Sequence, residues 1–337
     1  MLRTTNWVGD VVMTLPTLEA IKANFPKSSI TVVAKPWVVP IFENHPAVDN
    51  IIIFKKEEGF RNMIKEVFRV IKLIRKERFD LAILFQNAIE AALLAWLGGC
   101  KYRLGYNTDG RGIFLTHRVT RTSGIMKAHQ VEYYLSILRA AGWEAKSHDP
   151  VLYPTPKHLK KAEDILSIND IKSDSFILGL GPGAMFGDAK RWPPERFARI
   201  GDLAAAKWNA KILIMGSNKE TGICGIVEQN MTAQAINLAG KTSLAEAVGV
   251  IKQCHLFVTN DSGLMHIAAS LGIPTVAIFG STDSVATGPR GPITRIVKHE
   301  IKCAPCLKQT CPADHICMLS VKPEEVWDVM TELRNRE

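Results

Sequence analysis

The sequence predicts an α/β protein built from two doubly wound, parallel-sheet domains. Three observations carry this. Short β-branched apolar runs alternate with helix-period segments, the alternation occurs in two series, and a proline-punctuated stretch, DPVLYPTPK at 149–157, separates them. A length of 337 residues suits two domains of about 150–170 residues. The domains are expected at 1–150 and 151–322, followed by a C-terminal helix over 323–337.

In the first series only Leu2–Thr5 precede the turn at Asn6–Asp10, so the first strand is expected to be clipped. ITVVA (30–34), IIIF (51–54) and LAILF (81–85) read as buried parallel strands. Helices are expected over 17–25, 60–77, 87–97 and 129–142, the last ending at Gly142. The proline stretch then reads as a linker. In the second series FILGLGPG (176–183) leads to a helix at 194–207, and KILIMG (211–216) to one near 219–230. INLAG (236–240) leads to 243–252, and HLFVTN (255–260) to 262–271. TVAIFG (275–280) is the last strand expected, and Pro323 opens the final helix. Ligands of such sheets bind at the carboxyl ends of strands, here expected in a cleft between the domains.

Composition narrows the classes. The 47% hydrophobic and 22% charged fractions exclude general disorder. No apolar run reaches the roughly 20 residues that span a bilayer. No basic-then-apolar leader opens the chain, and its seven cysteines are odd in number, so a cytoplasmic location is expected over a secreted disulfide framework. Residues 1–154 hold 21 Lys+Arg against 14 Asp+Glu, which places seven of the nine net positive charges in the first half. That surplus suits an acidic partner or a solvated basic face. A nucleic-acid partner is not expected, because at 7% aromatics no basic–aromatic interleaving is visible.

Four segments could do chemistry. NWVGDVVMTLP (6–16) follows the first strand and places Asp10 near a helix start, as a reactive carboxylate or as an N-cap. GPGAMFGDAKRWP (181–193) combines accessible backbone N–H groups with Lys190 and Arg191, a composition suited to a diphosphate; Trp192 reads as packing. TNDSGLMH (259–266) ends a strand and starts a helix, so free N–H groups near Ser262 and Gly263 can meet an anion. The fourth, CAPCLKQTCPADHICM (303–318), spaces Cys303, Cys306, Cys311 and Cys317 closely enough for a structural zinc or an iron–sulfur cluster, with disulfides or free thiols as the alternative. It lies after the last expected strand and is read as distant from the other motifs. Cys100, Cys224 and Cys254 read as small buried hydrophobes.

In their order and spacing, the first three motifs resemble the family 9 glycosyltransferases, the ADP-heptose:lipopolysaccharide heptosyltransferases. They are most similar to the members that add the second core heptose, and the resemblance covers nearly the whole chain. It implies the GT-B fold, inversion at the sugar, and no cofactor for catalysis. Asp10 matches the proposed general base, and Lys190 the lysine on the donor diphosphate. The donor-binding set so expected is Gly183, Ala184, Lys190, Glu220, Thr242, Asp261, Ser262, Gly263 and His266, with Asn218 standing where some relatives carry the acid that holds the ribose. Arg61, Lys65 and Arg69 on one helix, with Arg111 and Arg118, are expected to meet the anionic inner-core acceptor. A peripheral place at the inner face of the inner membrane follows from that acceptor. The rival readings are a nucleotide-sugar epimerase or phosphorylase of similar architecture and a basic nucleic-acid-binding protein.

Overall fold

The computed structural model describes residues 1–55 and 57–335. The last two residues of the expected C-terminal segment lie outside the described residues. The chain divides into two compact units, Met1–Tyr153 and Pro154–Glu337.

The first unit holds β1 (Leu2–Arg3), β2 (Thr31–Ala34), β3 (Asn50–Ile53), β4 (Leu81–Leu84), β5 (Tyr102–Tyr106) and β6 (His117–Val119). They form one parallel sheet in the order β3-β2-β1-β4-β5-β6. The second unit holds β7 (Ile177–Gly181), β8 (Lys211–Ile214), β9 (Ala235–Asn237), β10 (Leu256–Asn260), β11 (Thr275–Ile278) and β12 (Thr294–Val297). Their order is β12-β11-β10-β7-β8-β9, again parallel throughout. Numbered from its own first strand, each sheet reads 3-2-1-4-5-6, the doubly wound order. The direction of winding across each sheet therefore reverses between β1 and β4, and again between β7 and β10. The first three motifs leave β1, β7 and β10, all strands that flank a reversal.

The strands are apolar runs because helices cover both faces of each sheet. In the second unit Leu178, Leu180, Ile212, Ile214, Val258 and Ile278 meet Phe197 and Ile200 of the helix Pro194–Trp208. The C-terminal helix Pro323–Arg334 adds Val326, Met330 and Leu333 to that same core, so it is an integral part of the second unit. Three strands departed from the reading of the sequence. β5 and β6 carry Arg, Gly and His among few apolar residues, and β12 is a half-exposed edge strand beyond TVAIFG. A helix over Pro156–Ile168 was also not expected. The prolines read as a linker, yet Thr155 caps the helix by accepting from the His158 amide at 3.1 Å, with Pro156 at its first position. Among the described residues no helix is long and apolar enough to cross a membrane.

Gly179 lies mid-strand in β7, where a Cβ would run into the Phe257 ring and reach the Cys254 sulfur at 3.1 Å. The missing side chain lets Phe257 lie across the neighbouring strand. Gly179→Ala should destabilise the chain by about 1–3 kcal/mol in urea unfolding, the usual cost of overpacking a core.

Candidate functional site

The second unit gathers its expected residues at the carboxyl ends of β7 to β10. Asp261, the first residue after β10, is 5% exposed. Its Oδ2 accepts from Lys190 Nζ at 2.6 Å and from Thr282 Oγ1 at 2.8 Å. Lys190 reaches it from a short turn, Asp188–Lys190, in the loop after β7. The side chain of Asn260 fixes that loop at both ends. Its Nδ2 donates to the Pro182 carbonyl at 2.7 Å and its Oδ1 accepts from the Trp192 amide at 3.0 Å. Thr259 adds a third tie, donating to the Gly181 carbonyl at 3.1 Å.

The helix Gly263–Ser270 starts at the same point. Its N-cap, Ser262, makes no side-chain capping bond; its hydroxyl lies 3.2 Å from Thr259 Oγ1 instead. Ser262 thus gives the first-turn amides no side-chain cap, and they lie on the positive end of the helix dipole, next in sequence to the Asp261 that holds Lys190. His266 is buried within this helix. Glu220 is 6% exposed and accepts from the amide and hydroxyl of Ser217, at 2.8 and 2.7 Å, so its carboxylate caps the turn after β8. A Cβ on Gly183 would collide with that carboxylate, which explains the glycine. Ala184 is buried beside it, and Thr242 is half-buried just before the helix Leu244–Lys252. The structure thus brings the residues expected on a donor into one region of one unit.

Asp10 belongs to the first unit. It lies in the first turn of the helix Val8–Met13, whose N-cap is Trp7, so the N-cap reading does not apply to it. It is half-buried, and its charge acts on the Tyr134 hydroxyl. Burial holds the Tyr134 hydroxyl well above its ordinary pKa, and the Asp10 charge adds to the shift, so this donor stays protonated. Nothing in the sequence separated Tyr134 from an ordinary core tyrosine.

The expected acceptor residues divide. Arg61, Lys65 and Arg118 are exposed. Arg69 is exposed too, but already engaged: it meets Glu66 at 2.6 Å and donates to the Ile53 carbonyl at 2.6 Å. Arg111 corrects the expectation outright, because it is fully buried. It donates to the Tyr106 carbonyl at 2.7 Å, to the Gln86 carbonyl, and to Asn87 Oδ1 at 3.0 Å. Burial pushes its guanidinium down to about 10. It braces the loop after β4 and presents no charge to a ligand.

The cysteine segment also departs from expectation in its position. It is not distant from the donor loop: the Gln309 carbonyl accepts from the Ala189 amide at 3.1 Å and occupies the space a Cβ on Gly187 would need. All four cysteines are free thiols, Cys303 exposed and Cys317 buried in the core beside Met318. Burial pushes the Cys317 thiol up, and the other three thiols add to the shift. Among the described residues, however, no three His, Cys, Asp or Glu side chains are placed to share one ion.

Comparison with known proteins follows the same lines. The family described as glycosyltransferase family 9 (heptosyltransferase) matches residues 67–317. The chain is 31% identical to a lipooligosaccharide heptosyltransferase 2 of Campylobacter jejuni, over 97% of this chain and 96% of the relative. It is 30% identical to that of Haemophilus influenzae, over 97% of each. The solved structure of E. coli ADP-heptose LPS heptosyltransferase II has a TM-score of 0.85 at 24% identity, covering 99% of this chain and 98% of that one. A family 9 glycosyl transferase from Veillonella parvula has a TM-score of 0.87 at 23% identity, covering 100% and 97%. The fold is thereby of the GT-B type.

The two views of Arg111 separate experimentally. Arg111→Gln should lower stability by at least about 2 kcal/mol, since it removes charged hydrogen bonds from buried acceptors. Arg118→Gln, on the surface, should stay within about 0.5 kcal/mol in the same denaturation series.

Proposed function

The chain belongs to glycosyltransferase family 9, the heptosyltransferases, and from that premise we propose that it transfers heptose from ADP-heptose to the lipopolysaccharide inner core, adding the second heptose to the first. The observation that carries the donor half is Lys190, held 2.6 Å from Asp261 beside the uncapped start of a buried helix at the winding reversal between β7 and β10. A diphosphate suits that place, because a lysine and oriented amides both favour negative charge. Neither rival, epimerase nor nucleic-acid binder, gains any support from the site.

The proposed step is a single displacement. Asp10 takes the proton of an acceptor hydroxyl, that oxygen bonds to the anomeric carbon, and the bond from that carbon to the β-phosphate oxygen breaks. ADP leaves with the electron pair, the proton remains on Asp10, and the sugar inverts. Buried Tyr134, on which the Asp10 charge acts, is proposed to help orient the base. Charge growing on the leaving phosphate is met by Lys190 and the amides near Ser262 and Gly263, the type of stabilisation that is usually largest. Glu220 and Thr242 are offered to the nucleoside and sugar of the donor. The reading calls for no cofactor. Exposed Arg61, Lys65 and Arg118 are proposed to meet the anionic core, on an enzyme that works in the cytoplasm at the inner face of the inner membrane.

Asp10→Asn should keep ADP-heptose affinity and lower kcat by roughly 10²–10⁴, the ordinary worth of a general base. Near-normal turnover in that variant would return Asp10 to a structural role. Lys190→Ala should weaken ADP binding roughly tenfold or more by calorimetry, with Lys190→Arg retaining part of it. Unchanged ADP affinity in the alanine variant would remove the diphosphate from Lys190.

A further inference from the structure

The helix Phe60–Glu77 carries more than the basic row already described. Phe60 is 81% exposed, Phe68 66% and Ile64 38%. Spaced at i, i+4 and i+8, they make one stripe about 12 Å long at the helical rise. Arg61, Lys65, Lys72 and Lys76, all exposed, run beside it. Core packing does not use the stripe, since Val70, Ile71 and Ile74 make the inward face. A single exposed apolar residue is ordinary, but three large ones in register form a patch that needs a partner.

Charge selects the partner. Arg69 is bonded to Glu66 and the Ile53 carbonyl, Arg75 donates to the Leu97 carbonyl at 2.7 Å, and Glu57 and Glu58 lie before the helix, which leaves Arg61, Lys65, Lys72 and Lys76 along the stripe itself. An apolar row bordered by cations matches the boundary between acyl chains and anionic headgroups. Position agrees. The helix leaves β3 at the carboxyl edge of the first sheet, the edge from which the Asp10 loop leaves β1. A surface seated on this helix would lie alongside the place where an acceptor hydroxyl meets the base.

We propose that Phe60, Ile64 and Phe68 seat this unit on an anionic lipid bilayer, with Arg61, Lys65 and Lys72 against the headgroups. The proposal rests on the reading of the acceptor as a membrane-borne glycolipid, and it names the surface that finds it. The apolar row supplies depth and the basic row supplies the preference for anionic lipid.

Flotation of the full chain with vesicles tests it. The protein should float with vesicles of phosphatidylethanolamine and phosphatidylglycerol and stay behind with phosphatidylcholine alone. Phe60→Ser/Ile64→Ser/Phe68→Ser should bind the anionic vesicles at least about tenfold more weakly. Arg61→Gln/Lys65→Gln/Lys72→Gln should bind weakly with little further effect of salt. If the triple serine variant loses its fold by circular dichroism, Phe60→Ser/Phe68→Ser, which leaves half-exposed Ile64 in place, takes its part. Transfer to a deacylated, soluble acceptor should be unchanged in the serine variant, and transfer to acceptor embedded in vesicles should fall. Wild-type flotation by the serine variant overturns the proposal. So does a wild-type dimer in sedimentation that the serine variant abolishes, since a second copy would then cover the stripe. Failure of the wild type to use the soluble acceptor would instead sink the proposed reaction and leave the flotation result standing.

Discussion

The second unit depends on one side-chain amide, that of Asn260. Adjacent parallel strands hold their backbones in register only as far as the ladder extends, and the loops beyond are free to diverge. Asn260 prevents this by bonding Pro182 and Trp192, the two ends of the loop after β7. Everything between those residues, Lys190 included, is thereby confined to a short arc. The 2.6 Å contact of Lys190 with Asp261 is a result of that confinement as much as of charge. Removing two ionised groups from water is costly, and tight geometry with a further donor, Thr282, offsets it.

The first unit solves the same problem with cations. Arg111 spans Tyr106, Gln86 and Asn87, and Arg3, also buried, donates to the Thr4 carbonyl at 2.7 Å and lies 3.6 Å from Glu90. Burial lowers the pKa of both guanidiniums. Part of the positive surplus of this half is therefore internal scaffolding at the ends of β1 and β4. A charge count along the sequence overstates what the surface can offer an anionic ligand.

This marks where the sequence was legible and where it was not. Strands buried on both faces announce themselves as apolar runs, so β2, β4, β7, β8, β10 and β11 could be read directly. Edge positions such as β6 and β12 need little apolar sequence, and β5 packs around Gly105, so their composition hid them. The motif at 259–266 was visible as a strand-to-helix turn, but spacing could not divide its labour: Thr259 and Asn260 tie loops, whereas Asp261 holds Lys190 and Ser262 opens a helix. Arg111 failed for a related reason, since a guanidinium that braces carbonyls and one that meets phosphate look alike in one dimension. Thr282 acts on the Asp261 carboxylate from the loop after β11, a relation that only folding creates.

The bracing of the donor loop has a consequence for the order of synthesis. The loop at 182–192 is held by Asn260, by the carbonyl of Gln309 on Ala189, and by the carbonyl of Val321 on the Trp192 indole at 2.9 Å. These ties come from progressively later parts of the chain. At translation rates of about 5–20 residues per second, the loop emerges several seconds before the last of its braces. During that interval the indole that will be fully buried has no wall to pack against. On the ribosome, the second unit is thus an unfinished sheet with an open seam until the segment around Val321 is out.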